Sequence, residues 1–490
     1  MLDSSLPVNT RQVESILRKW WPLIYLVTVG GILWSGFSDR AYDDPFITYR
    51  YAENIAQGVG FVYNPGERVL STTTPLFALL LAIPSLAGFD VHLVATGIGA
   101  LSLAVGALFI WDLSRTWGTP LVGWAALLLY PTFPLLVATV GSETPFYLAL
   151  CLGGFAFYAK GRYWLAALCV GLAVLARPDG ALVALLLAID FINRRPTHIP
   201  WGAVILFYLI TLSWVLFAWA YFGSPVPVTL LAKQRQGAMA ISQQFAAGFL
   251  TILGGYSSWN YVLEGALALL GLVYSLLRRR AWILFFAWTG LYFVSFTLLG
   301  VSRYFWYYAP LVPGFVVAVG LGIFASSSAF DRQGSTRSLE GTGAMGILAV
   351  VLIGVFTLAQ GASVWRLQHQ ANDRYAIYRA IGEWLEVNSQ PEDRIGALEV
   401  GIIGYYSGRP MIDFAGLLQP QVANQLSSLK TYEDSALWAI DQFSPEYVVL
   451  QDGFFTPRNE GLIRESCVPA RVFNGEDYGF QGNFQVYACR

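Results

Sequence analysis

Asp43 and Asp44 are adjacent carboxylates in the stretch Ser38-Asp39-Arg40-Ala41-Tyr42-Asp43-Asp44-Pro45-Phe46-Ile47-Thr48-Tyr49-Arg50-Tyr51, directly after the first long apolar segment, residues 21–37. A carboxylate drawn into hydrocarbon without a partner costs a few kcal/mol or more. An acidic pair at the point where an apolar segment ends therefore suggests chemistry where a lipid head group meets water. The two residues need not share a task, because neighbours at a helix start point about 100° apart. Asp44-Pro45 reads as a helix start, with Asp44 as N-cap and Pro45 at the first helical position. Asp43 has no equivalent capping task, which makes it the candidate for a catalytic or ligand role.

The elements that must position this pair follow from composition. The chain has 490 residues, of which 56% are hydrophobic and only 12% charged. A soluble domain carries about 25% charged residues. Long continuous apolar runs point to a polytopic α-helical membrane protein rather than a barrel. Aromatic residues reach 15%, with 17 Trp and 26 Tyr, which suits interfacial belts. A net charge of −1 offers no bulk field for nucleic acid.

Apolar segments of spanning length fall near residues 20–37, 91–111, 120–137, 143–159, 162–176, 180–192, 200–222, 258–277, 281–299, 306–326 and 344–364, which makes about eleven spans. The first sits behind about twenty polar residues with no small-residue cleavage site, so it reads as a retained helix. The apolar run 75–86 is too short to span and reads as re-entrant or interfacial. Basic clusters such as Arg194-Arg195 and Arg278-Arg279-Arg280 then fall on the cytoplasmic side with the N-terminus, and Asp43-Asp44 falls outside. The inner loop 326–343 is rich in Ser and Gly and reads as flexible.

Residues 1–364 thus form a transmembrane domain with an outer loop at 38–74. Residues 365–490 change character: charges return, with a helical pattern at 374–387 and strand patterns at 394–398, 447–450 and 484–488. This is the signature of a small extracytoplasmic α/β domain. Cys151 and Cys169 lie in apolar helices as packing residues. Cys467 and Cys489 lie in the polar tail and are free to pair if that side is oxidising.

The helix after the acidic pair is amphipathic, with Ile47, Tyr51 and Ile55 on one stripe and Phe46 beside it. It is expected to lie on the membrane. Gly58-Val59-Gly60 ends it, and Tyr63-Asn64-Pro65-Gly66-Glu67-Arg68-Val69 is a turn. Asp-Asp-x-Phe-Ile-x-x-Arg-Tyr-Ala at 43–52, this turn, and a Thr-rich segment before an apolar run together resemble the polyprenyl-phosphate-dependent membrane glycosyltransferases of the GT-C type. The likeness is closest to the mycobacterial terminal arabinofuranosyltransferases. It is more distant to the lipid A aminoarabinose transferases and the protein O-mannosyltransferases.

The resemblance implies that Asp43 is the base that activates the acceptor hydroxyl, with Asp44 as the second acidic residue. Arg50, Glu67 and Arg68, in the matched motifs, are expected to contact substrate. One departure leaves the sugar open: after Arg68-Val69 the arabinosyltransferase-like pattern continues with an acidic residue and Gly-Tyr-Thr-Asn. This chain has Leu70-Ser71-Thr72-Thr73-Thr74-Pro75 instead.

A lipid-phosphate sugar carries its own leaving group. The protein must supply a carboxylate to take the acceptor's proton and cations or hydrogen-bond donors around the departing phosphate. Arg303, Lys233, Arg177 and Arg235 are the candidates for that phosphate. Each also has a plain reading: an aromatic belt at 302–308, a local ion pair of Arg177 with Asp179, solvated charge for Lys233 and Arg235. Tyr304 and Tyr307 are placed to stack on sugar rings. Glu143 either favours a helix start or lines the site.

No Gly-x-Gly-x-x-Gly or P-loop is present, and His92, His198 and His369 are too far apart for a His-based zinc site. No cofactor is required. A divalent cation, if one takes part, would be held through oxygen by Asp43 and Glu143. The expected activity is inverting transfer of a sugar from a polyprenyl-phosphate donor to a glycan or lipid acceptor, at the outer face of the bacterial cytoplasmic membrane in cell-surface glycan assembly. Two rivals stay open: transfer to protein hydroxyls, and a carrier or flippase for lipid-linked sugars. The carrier should show inverted repeats around a midplane site, and no internal repeat is evident.

Overall fold

The computed structural model describes residues 10–331 and 344–489, and most of the Ser/Gly-rich loop expected at 326–343 lies outside the described residues. The helical part runs α1 (Thr10–Phe37), α2 (Asp43–Ala56), α3 (Pro75–Leu86), α4 (Val91–Thr116), α5 (Pro120–Leu129), α6 (Pro134–Val137), α7 (Thr144–Ala159), α8 (Tyr163–Ala176), α9 (Ala181–Asn193), α10 (Trp201–Phe222), α11 (Val228–Ala238), α12 (Phe245–Gly254), α13 (Trp259–Arg278), α14 (Ile283–Leu299), α15 (Val312–Asp331) and α16 (Ala344–His369). Among the described residues, seven helices are long and apolar enough to cross a membrane: α1, α4, α10, α13, α14, α15 and α16. This is a multi-pass membrane protein.

The segments expected to span at 120–137, 143–159, 162–176 and 180–192 are helices of 10, 16, 14 and 13 residues. At 1.5 Å per residue they fall short of a hydrocarbon core about 30 Å thick. Proline interrupts two of these runs. α5 stops before Pro131, and Pro178 separates α8 from α9 through a single 3-10 turn, because a proline ring clashes with the preceding turn.

The C-terminal unit contains α17 (Asp373–Asn388), β1 (Ile395–Ala397), α18 (Gly401–Ser407), β2 (Met411–Asp413), α19 (Pro420–Ala423), α20 (Tyr432–Phe443), β3 (Tyr447–Gln451), α21 (Pro457–Ser466), β4 (Cys467–Phe473) and β5 (Phe484–Cys489). Its five-stranded sheet has the order β2-β1-β3-β5-β4. β1 pairs in parallel with β2 and β3, while β5 runs antiparallel to β3 and β4. Cys467 and Cys489 face each other across β4 and β5 and are disulfide-bonded.

α2 corrects one expectation. It does not lie on the membrane: residues 45 to 52 and Asn54 are buried. α3 and α4 cover one side of it and α18 covers another. Phe46, Tyr49, Tyr51 and Phe77 share one hydrophobic core with Ile377, Ile402, Met411 and Val486. The amphipathic stripe that looked suited to lipid is used against protein.

Candidate functional site

α2 starts at Asp43, with Tyr42 as an extended N-cap residue that makes no capping bond. Both acids thus occupy the first turn, where the helix dipole favours them. Asp44 is not the N-cap. Its carboxylate turns to Lys233, with Oδ2 3.2 Å from Nζ. Asp43 does have a capping task, but for a different helix. Its Oδ2 accepts the N–H of Gly401 at 2.8 Å and its Oδ1 that of Ile402 at 2.7 Å, which satisfies two of the unpaired donors at the start of α18. A Cβ at position 401 would collide with the Asp43 carbonyl oxygen, so only glycine allows this approach. Burial, and then the Glu399 carboxylate, push the Asp43 carboxyl well above its ordinary value, against the two backbone donors. Burial also raises Glu399, with Arg374 opposing at 3.9 Å.

Asp44 lines a cavity of about 480 Å³ together with Tyr42, Thr72, Thr73, Thr74, Glu143, Arg177, Asp179, Lys233, Trp306, Tyr307 and Leu417. Lys233 stands on α11, which begins after Pro225-Val226-Pro227, and is 6% exposed. Its Nζ lies 3.7 Å from the Tyr304 ring centroid and 5.7 Å from that of Trp306. Tyr304 stacks on Trp306, and Trp306 stacks on Tyr42. Burial works most strongly against the ammonium, but Asp44, with Tyr307 and Tyr432 adding to it, leaves Lys233 holding its proton above the ordinary lysine value. One turn on, Gln236 donates to the Ala415 carbonyl at 2.9 Å and accepts from the Tyr304 hydroxyl at 2.8 Å.

Elsewhere in the same cavity lining, at the break between α8 and α9, stands the buried Arg177. Its guanidinium reaches Asp179 at 3.0 Å and Glu143 at 3.5 Å, and donates to the hydroxyls of Thr144 and Tyr292. Thr48, Thr72 and Thr74 form a triangle of hydroxyl hydrogen bonds of 3.1 to 3.3 Å at the cavity edge. A second cavity, of about 640 Å³, includes Arg40, Tyr261, Phe305 and Arg366, and Tyr42 borders both.

The structure therefore brings together Asp44, Lys233, Arg177, Glu143 and Tyr307 in one cavity, with Tyr304 behind Lys233. Asp43 sits beside them but faces α18. Arg50 is buried two turns along α2, donating to the carbonyls of Gly404 at 2.7 Å and Gly408 at 2.9 Å. Glu67 accepts from Asn64, and Arg68 lies 4.6 Å from the Tyr221 ring centroid, both on the exposed turn. Arg235 and Arg303 are exposed and do not line the cavity. No group of three or more His, Cys, Asp or Glu side chains that could hold a metal ion occurs among the described residues. Glu143 is engaged by Arg177 and Asp43 by backbone donors. Sequence reasoning missed Tyr42, Gln236, Trp306 and Glu399 as parts of the site. Gln236 had a signal, since it shares a helix face with Lys233 at i, i+3. Glu399 had none.

Residues 364–487 match a family described as Domain of unknown function (DUF8728). A terminal beta-(1->2)-arabinofuranosyltransferase of Mycobacterium tuberculosis is 27% identical over 223 residues, covering 40% of this chain and 35% of that protein. The match thus spans about a third of that relative's length. ArnT from Cupriavidus metallidurans, solved bound to undecaprenyl phosphate, superposes with a TM-score of 0.64 at 14% identity, over 96% of this chain and 98% of that one. The Archaeoglobus fulgidus oligosaccharyltransferase in its apo form gives 0.56 at 16% identity, over 89% and 70%. Near-complete coverage of one chain by another, despite such low identity, points to shared architecture, and the chain has the GT-C fold.

Proposed function

We propose that the chain is an inverting glycosyltransferase. It takes a sugar from a polyprenyl-phosphate donor and places it on a glycan or lipid acceptor at the outer face of a bacterial cytoplasmic membrane. The observation that carries this reading is the Asp44–Lys233 pair, a proton acceptor and a cation facing one cavity. The donor class is supported by ArnT, whose structure was solved with undecaprenyl phosphate, and sugar transfer by the arabinofuranosyltransferase relative.

In this reading the donor phosphate meets Lys233 and competes with Asp44 for its ammonium. Asp44, released, accepts the proton of the acceptor hydroxyl. The bond from the acceptor oxygen to the anomeric carbon forms as the bond from that carbon to the phosphate oxygen breaks. The lipid phosphate leaves with the electron pair, its charge met by Lys233. Asp44 is favoured over Asp43 as the base because Asp44 lines the cavity, whereas Asp43 does not and turns its carboxylate to two backbone donors of α18. Arg177 already answers two carboxylates, so Lys233 is the first choice for the phosphate.

The test is to incubate purified protein with polyprenyl-phosphate sugars and glycan, lipid and peptide acceptors. A covalent product of inverted anomeric configuration supports the proposal. Donor movement across a vesicle membrane without any product overturns it in favour of a carrier, and product on peptide hydroxyls alone moves the acceptor class to protein.

A further inference from the structure

The C-terminal unit, which matches a domain of unknown function, sends its contacts to the residues beside the site's ion pair. We propose that this unit is a positioning device: it sets the spacing of Asp44 and Lys233 by gripping α2 and α11 at neighbouring residues. This rests on the reading of Asp44 as the base.

At α2 the grip has two ends. Asp43, next to Asp44 in the chain, holds the first N–H groups of α18, and Arg50 holds the carbonyls of Gly404 in its last turn and of Gly408 at its C-cap. Asp43 and Arg50 are seven residues apart, about 10 Å along a helix, and α18 is itself 7 residues long. The carboxylate meets the positive end of α18 and the guanidinium its negative end, the favourable sense at both. Gly401 and Gly404 strip α18 of side chains where it meets the Asp43 backbone and the Tyr63 hydroxyl.

At α11 the grip is Gln236, one turn past Lys233, which donates to the carbonyl of Ala415. The loop carrying Ala415 is fixed from within the unit. The buried Asp413 carboxylate accepts the N–H groups of Ala415 at 2.7 Å, Leu418 at 3.1 Å and Leu417. Leu417 in turn lines the cavity. Both halves of the ion pair are therefore referred to one frame. A misplacement of about 1 Å at a reacting group can cost about a hundredfold in rate, so such a frame acts on catalysis without touching substrate.

The experiment uses the full chain in lipid nanodiscs and compares the parent with Arg50→Met and Gln236→Leu. Two readouts are taken: amide hydrogen exchange over 43–56 and 228–238, and kcat and KM for a polyprenyl-phosphate sugar. Arg50→Met should speed exchange in the first segment and Gln236→Leu in the second. Each should lower kcat about 10- to 100-fold with KM within about threefold. Faster exchange with kcat within about twofold of the parent overturns the proposal, as does unchanged exchange. If Arg50→Met does not fold, Gln236→Leu decides by the same two readouts. A parent that transfers no sugar overturns the proposed function instead, and the exchange data then still report whether the unit grips the two helices.

Discussion

A carboxylate works as a base only where a substrate hydroxyl can reach it, and cavity access separates Asp44 from Asp43. Among the described residues Asp44 pairs with Lys233 on the cavity wall, whereas Asp43 accepts one N–H at each oxygen and does not line the cavity. Asp44→Asn should therefore lower kcat by about 10² to 10⁴. It also leaves the Lys233 ammonium buried without its counter-charge. Breaking a fully buried pair costs about 3–5 kcal/mol, and the partial exposure of Asp44 reduces this to about 1–3 kcal/mol here. Adding Lys233→Met to Asp44→Asn removes the stranded charge. The double variant should regain most of the unfolding midpoint while staying inactive. Thermal unfolding alongside a transfer assay checks both halves, and recovery of activity in the double variant would exclude Asp44 as the base.

At the level of elements, the contact of α18 with the first loop depends on glycine. A Cβ at Gly404 would collide with the Tyr63 hydroxyl and come within 2.9 Å of Met411. The Tyr63 ring cannot simply swing aside, because its hydroxyl donates to the Val400 carbonyl at 2.6 Å. Gly404→Ala should cost about 1–3 kcal/mol, as overpacking in a filled core does. Tyr63→Phe in the same chain removes the colliding oxygen and should return part of that loss, which a double-mutant cycle of unfolding midpoints measures. Local patterns did show where elements lie. The strand patterns at 447–450 and 484–488 fall on β3 and β5, and the helical pattern at 374–387 on α17. They failed where a proline cut a long apolar run, as at Pro131, and where an amphipathic face found protein rather than lipid, as in α2.

For the molecule as a whole, the limit of the sequence is distance along the chain. The acidic pair announced a site, Arg177 and Glu143 were legible as charges at the ends of apolar segments, and Lys233 as a cation in a long outer loop. The partners that sort the two acids were not legible. Lys233 lies 189 residues from Asp44, and Gly401 lies 358 residues from Asp43. No local pattern could assign Asp43 to the start of a helix in another part of the fold.

That long-range contact has a pH signature. Asp43 and Glu399 are both raised in the folded state, by burial first, and Asp43 further by Glu399 itself. Asp44 adds to the repulsion at both, while Lys233 and Arg374 favour the ionised form of Glu399. The unfolded chain releases these protons near the ordinary carboxylate value of about 4, and the folded protein releases them at higher pH. Between those values the folded state binds more protons, so this contribution to stability is present at low pH and is lost as pH rises through the folded values. Glu399→Gln removes one proton site and the repulsion on Asp43. Its unfolding midpoint should gain on the parent's as pH rises from about 5 to 8, with the smallest difference at the acid end. Parallel curves for the two proteins would show that Asp43 and Glu399 do not titrate against each other where the C-terminal unit meets α2.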